Sequence, residues 1–123
     1  MAKPRLACLL GDPSGVGPEM AVKLLAREAN RQAAEVLLIA DRTALASGEK
    51  FAGASLDVLA VESLEALRFE PGRITLLPCD VLNGLAPALG VSDAASGRSA
   101  LQALNLAADA ALRGLVAGIL FAP

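Results

Sequence analysis

The sequence predicts an α/β fold built on a mostly parallel sheet. Short apolar runs alternate with helical stretches, the order that produces strand–helix–strand units. Those runs are continuous rather than alternating, as expected of strands buried on both faces. The composition agrees: 54% of the 123 residues are hydrophobic and 20% are charged. With only three Phe and neither Tyr nor Trp, the core must be made of Leu, Val, Ile and Ala. The length suits one domain with a modest core.

Residues 5–10 read as the first buried strand. A loop rich in glycine and proline follows at 11–19, and a helix is expected from Pro18 to about Ala29. Pro18 suits a first helical position, Glu19 suits the positive end of the dipole, and Glu19 with Lys23 is an i,i+4 pair. Asn30 is a candidate stop. The second strand is 35–40, and Asp41 can cap a short helix at 42–47. A loop is expected at 48–54, a strand at 56–61 and a helical turn at 62–67. Pro71-Gly72 marks a turn before a fourth strand at 73–77. Residues 78–91 read as an irregular connection.

The clearest helix follows, with Ser92 or Asp93 as its cap. Leu101, Leu104, Ala108, Ala111, Leu112 and Leu115 form an apolar face, opposite Arg98, Gln102, Asn105, Asp109 and Arg113. Gly114 suits its end, and 116–121 is a last apolar strand. The chain is expected to be an incomplete segment, because a buried strand is normally followed by another covering helix.

Several functions lose support. Net charge is −2, with no basic stripe and no Tyr or Trp to stack bases, so no nucleic-acid partner is expected. No apolar run approaches the roughly 18 residues of a membrane span, and no signal-peptide region is evident, so a cytoplasmic setting is expected. Cys8 and Cys79 are expected as reduced thiols. The chain has no histidine, which removes Ser-His-Asp and Cys-His chemistry and histidine metal ligands.

The loop Gly11-Asp12-Pro13-Ser14-Gly15-Val16-Gly17-Pro18-Glu19 would leave the first strand at its C-terminal end, where open α/β sheets bind ligands. It is not a P-loop: Gly11 and Gly17 are six apart where the motif needs five, and Pro18 stands where Lys is required. It is not a full dinucleotide fingerprint either, since Met20 takes the third glycine place, although Asp41 lies about where a ribose-binding acid belongs. Free N–H groups at the helix start could meet a phosphate. Asp12, Asp41 and Asp80 would face the crevice. The competing reading is a plain strand-to-helix turn in which Asp12 or Ser14 satisfies backbone N–H groups.

Gly11 to Glu19 resembles the N-terminal signature of the 4-hydroxythreonine-4-phosphate dehydrogenases. A related loop opens the isocitrate and isopropylmalate dehydrogenases, and Pro13-Ser14 favours the first group. Ser92-Asp93-Ala94-Ala95-Ser96-Gly97-Arg98 and the strand Val116 to Pro123 match in the same order. Phe121 departs from the family's usual Thr, which leaves the exact substrate open.

The resemblance implies an isocitrate/isopropylmalate dehydrogenase-like three-layer αβα fold, with 1–123 as the N-terminal part of a two-domain enzyme. It implies a homodimer, NAD, a divalent metal (Zn, Mg or Co) and a small phosphorylated four-carbon hydroxy-acid substrate. Oxidation and decarboxylation of that substrate would serve pyridoxal phosphate biosynthesis. Asp12, Gly15 and Val16 are the cofactor-binding candidates. No catalytic residue and no metal ligand can be assigned within this chain, so it is expected to be inactive by itself. The alternative is a nucleotide- or phosphate-binding α/β module without catalysis. A dimerising half-domain is a third reading.

Overall fold

A computed structural model describes residues 2–85, 89–91 and 93–121. Five parallel strands form one sheet in the order β3-β4-β2-β1-β5: β1 Arg5–Leu9, β2 Glu35–Ala40, β3 Val58–Ala60, β4 Ile74–Pro78 and β5 Gly118–Phe121. The helices are α1 Gly17–Leu25, α2 Glu28–Ala33, α3 Arg42–Ala52 and α4 Ala94–Leu112, with a 3-10 turn at Leu64–Ala66.

Side chains alternate across the strands, so β1, β2 and β4 each feed two cores. Cys8, Val36, Leu38, Ala40, Ile74 and Leu76 pack with Ala21, Val22 and Leu25 of α1 and Ala44 and Leu45 of α3. Ala7, Leu9, Leu37, Ile39 and Leu77 pack on the opposite face with Ala103, Ala107 and Ala110 of α4. The result is the expected three-layer αβα arrangement.

Four local expectations change. The helix expected over 18–29 is two helices, because Arg27 is extended (φ −78°, ψ 120°). The carbonyls at the end of α1 are met from α2: Asn30 Nδ2 donates to Leu24 O, and Arg31 Nη1 donates to Leu25 O and Ala26 O. The loop expected at 48–54 is helical as far as Ala52, and Gly53 (φ 68°) ends α3 in the left-handed region. Gly48 lies inside α3 because that helix crosses the start of α1 closely. A Cβ at Gly48 would lie 2.6 Å from Pro18 O. The strands expected at 56–61 and 116–121 shorten to Val58–Ala60 and Gly118–Phe121.

The fourth change is the face of α4. Its buried residues are Ser96, Ser99, Ala103, Ala107 and Ala110. Leu101, Leu104 and Leu112 are 59%, 41% and 88% exposed, so the leucine stripe is not the packed one, although Ala111 and Leu115 of the expected face are partly buried against this core. Small side chains let the helix backbone lie close to the sheet.

The N-terminal capping expectations hold, whereas Asn30, expected as a stop, lies inside α2. Asp41 caps α3, Asp93 caps α4, and the Glu19–Lys23 pair forms at 2.8 Å. Ser92, the alternative cap, lies outside the described residues. Cys8 and Cys79 are buried free thiols. Burial pushes the Cys8 thiol up to about 11, so it is protonated and unreactive near neutral pH. Among the described residues no helix is long and apolar enough to cross a membrane.

Candidate functional site

The 11–19 loop leaves the C-terminal end of β1 and turns into α1. Gly11 has φ 74°, which glycine adopts without strain. Asp12 then folds the chain back on itself. Its Oδ1 accepts from Ser14 N at 2.8 Å, and its carbonyl accepts from Gly15 N at 3.0 Å. Pro13 is fully buried. Helix α1 begins with Met20 N donating to Val16 O at 3.0 Å. No side chain caps this start, and Pro18 in its first turn has no N–H to satisfy.

Beside the loop lies a cleft of about 290 Å³. One wall is Pro13, Ser14, Gly15 and Val16, continued by Pro18 and Glu19. Ser47, Gly48 and Phe51 of α3 form the second, and Leu89 with Gly90 the third. Val16, Phe51 and Leu89 are more than half exposed, at 64%, 51% and 51%. The cleft therefore offers mainly apolar surface to an occupant, with backbone polar groups between.

Of the three cofactor-binding candidates, Gly15 and Val16 line this cleft and Asp12 does not. Asp12 shapes the loop from behind, as the plain-turn reading expected of it. Both of the other crevice acids already have partners. Asp41 is 3% exposed, and its two oxygens accept from Thr43 N, Ala44 N, Val81 N and Leu82 N. It has no capacity left for a ribose hydroxyl, and the fingerprint reading loses its acid. Asp80 is held by Arg42, which donates through its backbone N–H and its guanidinium. That guanidinium keeps the Asp80 carboxyl below the usual carboxylate range.

Sequence reasoning gave Ser14 only a local backbone role and did not single out Ser96. The two hydroxyls meet at 2.7 Å and are buried, 82 residues apart in the chain. Phe51 and Gly48 were also missed, since the segment was read as a loop. No periodic signal marks a contact between distant elements.

No family model matches the chain. A curated 4-hydroxythreonine-4-phosphate dehydrogenase of Geobacter metallireducens is 35% identical over 124 residues, which cover 98% of this chain and 36% of that protein. Another, of a Synechococcus species, is 34% identical over 122 residues, covering 98% of this chain and 34% of that one. In fold, the chain is similar to the crystal structure of a 4-hydroxythreonine-4-phosphate dehydrogenase from Burkholderia phymatum. The TM-score is 0.80 at 27% identity, over 97% of this chain and 36% of that one. The chain thus spans little more than a third of the length of the relatives it matches.

Proposed function

We propose, from a chain that belongs to the 4-hydroxythreonine-4-phosphate dehydrogenase family over the third of those proteins that it spans, that it supplies part of the cofactor site of an NAD-dependent oxidoreductase. The reaction is oxidation and decarboxylation of 4-hydroxythreonine 4-phosphate, or of a related phosphorylated four-carbon hydroxy acid, in pyridoxal phosphate biosynthesis. A cytoplasmic homodimer belongs to the same reading.

One observation carries the cofactor assignment. The loop that resembles the family signature walls a mainly apolar cleft at the ligand edge of the sheet. In the isopropylmalate enzymes, which carry a related loop, its hydrophobic residue lies near the adenosine of NAD. Val16 holds that place here, and Phe51 and Leu89 offer further apolar surface to a flat base. The uncapped first turn of α1 can donate to a phosphate oxygen nearby. NAD bound here would supply the hydride acceptor, and Val16, Phe51 and Leu89 would hold its adenosine end.

The divalent metal implied by the resemblance does not fit these residues. The chain has no histidine, and among the described residues no three of His, Cys, Asp or Glu gather into a metal site. Asp41 and Asp80 are committed to backbone amides and to Arg42. No step of the chemistry is assigned to this chain's side chains.

Calorimetric titration of the chain with NAD tests the assignment. Binding is expected, and Val16→Ala should weaken it on the order of tenfold by removing two methyl groups' worth of contact with the bound base. A folded chain that binds no NAD overturns the reading.

A further inference from the structure

The three walls of the cleft come from distant parts of the chain, and Ser14 joins two of them. Its carbonyl accepts from Gly90 N at 2.8 Å, which ties the 89–90 turn to the loop. Its hydroxyl meets that of Ser96 at 2.7 Å, with the two residues 3% and 2% exposed. Ser96 is in turn held at the start of α4, where its N–H donates to Asp93 Oδ1 at 2.7 Å. Helix α4 is anchored on the far face of the sheet by Ala103, Ala107 and Ala110. The third wall is set separately, by the contact of Gly48 with Pro18.

A hydroxyl pair in a dry place is directional. Replacing one member by a methyl leaves the other without its buried partner. Ser96 is not a lining residue of the cleft, so its influence on a ligand passes through Ser14.

We propose that Ser96 is a positioning residue for the cleft: its hydroxyl holds Ser14, and Ser14 holds the 13–16 loop and the 89–90 turn at the separation a nucleotide base requires. This rests on the cofactor reading above. Loop and turn then move as one body with α4, and the cleft is formed before a ligand enters.

The test compares Ser96→Ala, Ser14→Ala, the double variant and Val16→Ala in the full chain. Amide exchange of Gly90 is followed by NMR, and NAD affinity by calorimetry. Ser96→Ala should speed Gly90 exchange about tenfold or more and weaken NAD binding about five- to tenfold. The double variant should be no worse than either single one, because the two hydroxyls act as one unit. If Ser96→Ala does not fold, Ser96→Cys, of similar size and weaker hydrogen bonding, is measured in its place. Unchanged Gly90 exchange overturns the link between α4 and the turn. Faster exchange with unchanged NAD affinity, while Val16→Ala still weakens NAD, overturns the positioning role alone. Unchanged affinity in both Ser96→Ala and Val16→Ala overturns the cofactor reading, and this inference with it.

Discussion

Two corners of the sheet face the same edge and share an acid after a strand, yet only one leaves room for a ligand. At the end of β2, Asp41 takes four backbone N–H groups, two from α3 and two from the segment after β4. Its carboxylate is consumed in holding two loops together. At the end of β1, Asp12 takes only the N–H of Ser14 with its side chain, and the chain beyond it opens onto the cleft. Position at the ligand edge is therefore not sufficient. A crevice residue serves a ligand only where the local backbone has not already claimed its hydrogen-bonding capacity.

The largest test of that contrast is Asp41→Ala. It leaves four N–H groups without their acceptor, two of them at 2.7 Å from the lost oxygen, and should cost about 3 kcal/mol or more in chemical denaturation. A loss under about 1 kcal/mol would show that water replaces the carboxylate, and the two corners would then differ less than described. Gly48→Ala comes next. The added methyl meets Pro18 O at 2.6 Å, so α3 must shift away from the loop, at about 1–3 kcal/mol by the same measurement. Val16→Ala is the smallest. With Val16 64% exposed, stability should change by no more than about 0.5 kcal/mol while NAD affinity falls. A large stability loss there would make the loop structural, like the Asp41 corner.

Much of the fold was legible because its signals are local. Asp41 and Asp93 could be recognised as caps because a short acidic side chain reaches an N–H two or three residues on. Gly114 could be recognised as a helix end, and it adopts φ 73°. The wall of the cleft was legible in part. Gly15 and Val16 line the cleft, but the same loop pattern could not distinguish Asp12 as a turn-former from Asp12 as a ligand contact.

Helix α4 shows where local reading stops. Its 3.6-residue period is evident, but alanine and leucine both count as apolar, so the period supports two faces. The alanine and serine face is the one against the sheet, and Leu112 is 88% exposed. The decision depends on how near the helix axis lies to the strands, which no single helix encodes. Gly48 is similar: taken alone, a glycine at that point reads as a break, and only the crossing of α3 over Pro18 makes it a packing residue.

By itself, then, the sequence determined the alternation of strands and helices, the caps, and a glycine–proline loop placed at the ligand edge. Each follows from sterics and hydrogen bonds within a few residues. The tertiary structure alone decided that Ser14 meets Ser96, that α4 packs through its small side chains, and that Asp41 is spent on backbone while the 13–16 loop stays open. Those outcomes depend on distances between elements far apart in the chain, and close packing sets such distances only once all the layers are in place.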